Sequence, residues 1–227
     1  MGTKYQIVFN RLKVLSNKDA AYFFSEMISH PYSEEEGWGY SDVQREGDTV
    51  FATLQKRVST YFSVWNEELL QVERQCFQIV TEASFEIDFQ RGLLIAEGTN
   101  TQLNRIKQSF RQVFWNEFVY EEINLMPVDY MNMLNESGMI IIIGELTIND
   151  FHYEGCLIGR YIAKPTCQLD ILEKIGEHAK NIIRAKIRIA INGGDAQLTV
   201  SNRSVLSLDA DEDSKMAFVN YLKQKLV

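Results

Sequence analysis

A strand-like segment near the C-terminus of this 227-residue chain carries three regularly spaced cations. Arg184, Lys186 and Arg188 alternate with apolar residues within the segment 182–191. Successive side chains of a β-strand point to opposite faces of a sheet, so the three cations are predicted to share one face. Such a row can bind the phosphates of a nucleic acid or the carboxylates of an acidic protein partner. A solvated strand face, paired with acids on neighbouring strands, is the alternative interpretation.

Acidic residues recur with the same spacing earlier in the chain. Glu86, Asp88 and Gln90 alternate along one predicted strand, and Glu97 follows in the next strand. Clustered carboxylates hold Mg²⁺ in enzymes that cleave phosphate esters, so a metal-dependent hydrolase or nuclease is one hypothesis. The Glu-x-Lys element that often completes a nuclease site is missing, because Arg91-Gly92 follows instead. A solvent-facing polar strand face is the alternative, and no metal site is predicted.

Other signals of catalysis are absent from the sequence. Asp209–Asp213 has the alternating acids that open a calcium loop, but Ser214 replaces the required glycine and Asn220 the final glutamate. These acids are therefore predicted to cap a helix, where the helix dipole favours negative charge. There is no hydrolase elbow, Walker A loop, dinucleotide-binding fingerprint or zinc-ligand spacing. We predict no catalytic residue and no cofactor, and an enzyme is the less favoured class.

The cysteines and the apolar runs bear on the compartment. Cys76, Cys156 and Cys167 form an odd set without a C-x-x-C pair, which is typical of small, half-buried cysteines in a reducing environment. The longest apolar run, Met139–Ile143, is far shorter than the roughly 20 residues of a membrane-spanning helix. The N-terminus lacks the apolar core of a signal peptide. We expect a cytoplasmic protein without a membrane partner.

The segment 31–48 is predicted to be the longest surface loop. It places Tyr32, Trp38 and Tyr40 beside the acids Glu34–Glu36. Exposed aromatic side chains anchor many protein–protein interfaces, so these three residues are candidate interface residues. Packing of the same aromatic residues onto the chain's own sheet is the equally supported alternative.

Composition favours a folded domain over a uniform polyanion binder. Apolar residues make up 45% of the chain, which is enough for a core. Lys and Arg number 23 against 31 Asp and Glu, giving a formal charge of −8, whereas nucleic-acid-binding domains are usually basic overall. The length fits one α+β domain over 1–227, with 135–138 as the most favourable point of subdivision.

Periodicity predicts largely antiparallel sheet with about five packed helices. Strands are predicted from β-branched and aromatic runs and from period-two alternation. The apolar run Met139–Ile143 is predicted to be a central strand that is covered on both faces. Asn192-Gly193 predicts a hairpin because both residues tolerate positive φ. The predicted helices are 17–29, 101–114, 127–134, 168–179 and 211–226; the other predicted strands are 1–9, 49–64, 71–80, 85–89, 93–96, 182–191, 197–200 and 205–208.

One part of the sequence resembles a known family. The strand pair 85–96, the helix 102–113, the segment Glu122–Leu125 and the strand 182–187 with its hairpin follow one another as in the RdgC family. These are ring-forming, DNA-binding proteins of bacterial recombination. The resemblance covers about half of the chain in element order and hydrophobic pattern. It implies nucleic-acid-related biology, and no functional residue is transferred from it.

Together these observations favour a non-enzymatic subunit that acts through its surfaces within a bacterial multi-protein assembly. Such an assembly would handle or guard nucleic acid, and antiphage defence is one hypothesis of this kind. Protein partners are expected, and self-association is open. Direct nucleic-acid binding through Arg184, Lys186 and Arg188 is the first alternative. A metal-dependent hydrolase that uses Glu86, Asp88 and Glu97 is the second.

Overall fold

The fold was analysed in a computed structural model of the 227-residue chain. The structure describes residues 2–68, 70–153, 157–166, 176–202 and 205–226. Within these ranges the chain forms one large antiparallel sheet with helices on both of its faces, so the predicted α+β class is confirmed. None of the helices in the described ranges has the length and apolar character that a membrane span requires.

Eleven strands make up the sheet, and every described strand pair is antiparallel. The strands are β1 Thr3–Val14, β2 Trp38–Glu46, β3 Thr49–Asn66, β4 Gln71–Asp88, β5 Leu93–Glu97, β6 Phe118–Glu122, β7 Ile140–Tyr153, β8 Leu157–Ala163, β9 Ile182–Ile191, β10 Gly194–Ser201 and β11 Val205–Ala210. Their order is β2-β3-β4-β5-β1-β11-β10-β9-β7-β8, and β6 pairs with β1 off this path. Strands from both sides of residues 135–138 therefore belong to the same sheet.

Four α-helices lie in the described part of the chain, rather than about five. They are α1 Ala20–Ser29, α2 Asn100–Phe114, α3 Pro127–Glu136 and α4 Glu212–Lys225. The predicted helix 168–179 falls mostly outside the described residues, and its last turn belongs to a 3₁₀ helix, Gly176–Asn181.

Helices α1 and α4 begin at residues whose side chains satisfy free backbone N–H groups. Asp19 accepts a hydrogen bond from the Tyr22 N–H at 3.0 Å, and Asp211 accepts one from the Ser214 N–H at 2.8 Å. The predicted capping role of the acids 209–213 is confirmed for Asp211, which precedes α4. Pro127 opens α3, where its missing N–H costs nothing.

Alternate residues of the sheet build two separate cores. On the first face, Val8, Leu54 and Phe85 pack under α1 and α2. On the second face, Ile7 and Ile187 pack under α3 and α4. The helices of the N-terminal half therefore cover one face, and the helices of the C-terminal half cover the other. Each half of the sheet has one face that no described helix covers completely.

Three sequence predictions about strands were wrong. The predicted loop 31–48 contains strand β2, where Gly39 is required because a Cβ atom would collide with the main chain of Pro31. The predicted separate strands 71–80 and 85–89 form the single strand β4. The segment 139–143 starts β7, which lies next to the edge strand β8 and is only partly buried there. The hairpin at Asn192-Gly193 is confirmed, with φ of 50° and 80°.

Candidate functional site

The longest strands of the molecule form a hairpin that reaches beyond the rest of the sheet. β3 and β4 are 18 residues each, and they pair along their whole length from Thr49–Asp88 to Asn66–Gln71. Their neighbours are much shorter, because β2 pairs with β3 only as far as Lys56, and β5 pairs with β4 only from Phe85 onward. We call residues 57–66 and 71–80, with their turn, the arm. At about 3.3 Å per residue the arm is about 30 Å long.

The arm carries much of the exposed apolar surface of the described chain. Eight of the sixteen large apolar side chains that are exposed lie on it: Tyr61, Phe62, Trp65, Leu70, Val72, Phe77, Ile79 and Val80. Contiguous exposed apolar patches on soluble domains mark interaction sites. An isolated two-stranded hairpin is also marginally stable in water, so the arm as described has little support of its own.

One face of the arm carries a central strip of apolar side chains. The strip contains Val58, Thr60, Phe62, Val64, Phe77 and Ile79, with Gln75 and Glu73 toward the tip, and it extends the first face of the sheet beyond α1 and α2. The rings of Phe62 and Phe77 meet edge to face with their centroids 5.6 Å apart. We call this surface the apolar face of the arm.

The opposite face of the arm mixes apolar and polar groups. The Arg74 guanidinium lies 4.5 Å from the centre of the Tyr61 ring, and the Gln78 amide donates a hydrogen bond to the Ser59 hydroxyl at 2.9 Å. Trp65 and Cys76 are exposed on this face. The two faces therefore differ in chemistry, although both are open to solvent.

The predicted aromatic interface residues lie near the base of the arm. Tyr40 is 2% exposed and donates a hydrogen bond to the Ser109 hydroxyl at 2.9 Å, so it packs in the chain's own core and is not a surface contact. Trp38 is half-buried, pairs with Lys56 across β2 and β3, and packs beside Tyr40. Tyr32 is half-buried between Pro31 and Ser33, which form isolated bridges with β2. The sequence thus indicated the base of the arm but not the arm itself.

The predicted basic strand face exists on β9. Arg184 and Arg188 are exposed and Lys186 is half-buried, while Ala185 and Ile187 between them are buried in the second-face core. Acids on neighbouring strands pair with two of the three cations. Lys186 Nζ lies 2.9 Å from Glu145 Oε1 on β7, and Arg188 Nε lies 3.7 Å from Asp195 Oδ2 on β10. The hydrogen bond from Lys186 lowers the pKa of the Glu145 carboxyl.

The three predicted metal-ligand candidates do come together. Glu86, Asp88 and Glu97 line one cleft of about 770 Å³ between α4 and strands β2 to β5, on the second face of the sheet. Glu86 and Asp88 are 9% and 2% exposed, so the interpretation of a solvent-facing strand face is wrong for both. Glu86 lies beneath α4, which supplies Lys223, and Asp88 lies beside Arg91.

Each of these carboxylates has a cationic partner. Glu86 forms an ion pair with Lys223, Asp88 with Arg91 at 2.9 Å, and Glu97 with Lys215 at 2.5 Å. Burial raises the pKa of Glu86, and the hydrogen bond from Lys223 opposes that rise. No group of three or more potential ligands within the described ranges is arranged to hold a metal ion. The cleft is thus a set of internal ion pairs.

The thiols and imidazoles form no described catalytic pair. Cys76 is exposed on the arm, and the His30 ring lies beside the Glu26 carbonyl at 2.8 Å at the end of α1. The remaining cysteines, Cys156 and Cys167, lie outside the described residues, as do the side chains of His152 and His178.

Comparison with known proteins assigns no relationship. No protein-family model matches the sequence, and no curated protein is significantly similar to it. The resemblance to the RdgC family stays a prediction from the sequence. The arm is therefore interpreted from its own residues.

Proposed function

We propose that this chain is a non-enzymatic protein-interaction subunit that binds a protein partner through the arm. The observation that carries the proposal is the apolar surface on a two-stranded ribbon that no described element covers. Aromatic residues such as Phe62 and Phe77 are the anchors that protein interfaces use most. Association with a partner would bury these side chains and supply the support that an isolated hairpin lacks.

The charge of the arm favours a protein over a nucleic acid. Residues 57–80 contain two cations, Arg57 and Arg74, and three anions, Glu67, Glu68 and Glu73. Nucleic-acid binding draws most of its affinity from cations that neutralise phosphates. Exposed aromatic residues on an acidic ribbon lack that contribution, so a protein surface is the better match. The assignment to a bacterial assembly that handles nucleic acid, or to antiphage defence, rests on sequence alone.

Photocrosslinking tests the proposal directly. A photoreactive benzoylphenylalanine replaces Phe77 on the arm or, as a matched control, Val119 on β6; the native side chains are 41% and 40% exposed. Cells that express each variant are irradiated, and the adducts are analysed by mass spectrometry. We expect protein adducts from position 77 and few from position 119. Adducts that nuclease removes, or equal labelling at both positions, would contradict the proposal.

A second candidate function is nucleic-acid binding by the basic strand face. The observation that favours it is a shallow pocket whose lining brings Lys164 together with Lys186 and Arg188. Each phosphate contact steepens the loss of affinity with salt, so binding through this face would weaken strongly between about 50 and 200 mM salt.

The test measures binding of labelled single- and double-stranded DNA and RNA to the chain and to a variant with Arg184, Lys186 and Arg188 all changed to Glu. This function requires that the triple variant lose binding and salt dependence. A variant with Lys4, Lys13 and Arg45 all changed to Glu serves as a charge-matched control. Unchanged binding in the triple variant removes this candidate.

A further inference from the structure

We infer that the partner of the arm is a second copy of this chain, with two arms packed antiparallel through their apolar faces. This inference rests on the proposed function, because it identifies what the arm binds. It is carried by the distribution of charge along the apolar face. Cations lie at the base of the arm, an anion lies near its tip, and the apolar rows lie between them.

The register of the hairpin fixes these positions. From base to tip on this face, the cross-strand pairs are Lys56–Thr81, Val58–Ile79, Thr60–Phe77, Phe62–Gln75 and Val64–Glu73. Two arms can pack face to face in opposite directions, centred on the pair Thr60–Phe77 of each copy. The base pair Lys56–Thr81 of one copy then lies opposite the pair Val64–Glu73 near the tip of the other. The pairs Val58–Ile79 and Phe62–Gln75 then also face each other, and three of these four side chains are apolar.

Opposite charges face each other at both ends of the paired arms in this arrangement. The Arg105 guanidinium of α2 donates a hydrogen bond to the Thr81 hydroxyl at 3.1 Å, so it lies beside the base pair together with Lys56. Near the tip, the Glu73 carboxylate accepts a hydrogen bond from the Asn66 amide at 3.0 Å on the same face. The antiparallel arrangement therefore sets Glu73 of each copy against Lys56 and Arg105 of the other. A parallel arrangement would set like charges against each other.

A second copy fits this pattern better than an unrelated protein. A twofold interface uses the same patch on both subunits, so the patch must be complementary to itself when reversed. The apolar face meets this condition, with opposite charges at equal distances from its centre.

The size of the face predicts a weak dimer. Two strands about 5 Å apart and about 30 Å long present about 300 Å² per copy, well below the roughly 800 Å² per partner of a standard interface. We therefore expect a dissociation constant of about 10 to 100 μM. Sedimentation equilibrium of the full chain between about 5 and 500 μM spans this transition.

Charge exchange tests the arrangement. In Glu73→Arg, three cations meet at each end of the paired arms; in Lys56→Glu with Arg105→Glu, three anions meet there. Each variant is expected to weaken dimerisation by about tenfold or more. The triple variant, with all three charges reversed, is expected to recover the parent affinity to within about threefold. Equal weakening in the triple variant and its components would overturn the arrangement.

Cysteine crosslinking reports the contact face independently of affinity. Thr60 lies at the centre of the proposed contact, whereas the adjacent Ser59 points to the opposite face of the arm. Thr60→Cys and Ser59→Cys are compared in a background with Cys76, Cys156 and Cys167 changed to Ser, and circular dichroism checks the fold of each. We expect a disulfide-linked dimer from position 60 and little from position 59. The reverse preference would show that the apolar face is not the contact.

The outcomes separate this inference from the proposed function. A purified chain that stays monomeric at about 500 μM, while position 77 crosslinks to another protein in cells, overturns the second copy and leaves the interaction function standing. A monomer that gives no protein adduct at position 77 overturns both. A crosslink from position 77 to the same chain, lost in Glu73→Arg, supports both.

Discussion

The inner and outer halves of the β3–β4 hairpin share one pattern but have different surroundings. In the inner half, 49–56 and 81–88, alternate residues such as Leu54 and Phe85 are 1% and 4% exposed beneath α1 and α2. In the arm, the same alternation continues to Phe62 and Phe77, which are 51% and 41% exposed. Apolar residues continue along this face, and Gln75 and Glu73 join them toward the tip, but the covering layer above them ends.

This difference shows that period-two alternation encodes a buried face without specifying what buries it. In the inner half the covering layer comes from helices of the same chain. In the arm no described element of the chain covers it, which is why we assign the cover to a partner. The contrast can be tested by substitutions that are matched between the two halves.

The largest expected effect is on the free energy of unfolding, and it differs between two phenylalanines on the same face of β4. Phe85→Ala removes a ring that packs against Phe110 at 5.3 Å between centroids, so we expect a loss of about 3 to 5 kcal/mol in the free energy of unfolding. Phe77→Ala is expected to change it by less than about 0.5 kcal/mol. Urea unfolding of dilute, monomeric protein measures both. Similar losses at the two positions would mean that the arm belongs to the chain's own core.

The second expected effect concerns the other face of the inner half, where Glu86 is paired with Lys223. Lys223→Ala leaves a buried carboxylate without its cation, which typically costs about 3 to 5 kcal/mol. Burial already raises the pKa of Glu86, and removing Lys223 raises this pKa further because the hydrogen bond that lowers it is lost.

The pH dependence of this loss follows from the direction of the shift. Because the folded-state pKa of Glu86 lies above its unfolded value of about 4.3, the ionised carboxylate destabilises the fold above the folded pKa, and this penalty vanishes below about pH 4.3. The deficit of Lys223→Ala relative to the parent is therefore expected to be largest near neutral pH and to shrink toward pH 4.3. Urea unfolding at several pH values measures it. Lys223→Met combined with Glu86→Leu is expected to recover most of the loss, and a deficit independent of pH would contradict this account.

A smaller effect on stability is expected from two tyrosines, one in the core and one in the arm. Tyr40→Phe removes the hydrogen bond to Ser109 in the core, at a cost of about 1 kcal/mol. Tyr61→Phe in the arm removes a hydroxyl from a side chain that is 54% exposed, so a change below about 0.5 kcal/mol is expected. Thermal unfolding of both variants under the same conditions compares them. An equal loss at both sites would remove the distinction between core and arm.

Local chemistry predicted much of the fold. The cap at Asp211, the start of α3 at Pro127 and the turn at Asn192 all depend on residues within a few positions of each other. Alternation also correctly placed Arg184, Lys186 and Arg188 on one face. These features need no knowledge of distant parts of the chain.

Features that depend on distant residues were missed. β2 reads as a loop when residues 31–48 are considered alone, whereas its pairing with β3 makes it a strand. Glu86 reads as a solvent-facing residue because Lys223, which pairs with it, comes from the opposite end of the sequence. The arm was predicted as two strands, but the absence of a covering layer is not a local property. Its exposure therefore could not be inferred from residues 49–88 alone.

The last expected effect concerns deletion of the arm. Residues 57–80 are replaced by Asn-Gly, so that a two-residue turn joins Lys56 to Thr81, which already pair across the hairpin. The Arg57 N–H points away from β4 to the Gly37 carbonyl at 2.7 Å, so the N–H and C=O of Lys56 point toward β4, as a tight turn requires. The join therefore keeps the inner register.

We expect the free energy of unfolding of this deletion variant to stay within about 1 kcal/mol of the parent, because the inner core keeps its helices and its strand pairs. The urea m-value is also expected to change little, since it scales with the area that unfolding exposes, and the arm is already largely exposed in the folded chain. Self-association is expected to disappear. Urea unfolding and sedimentation measure these outcomes, and a loss of several kcal/mol would show that the chain covers its own arm.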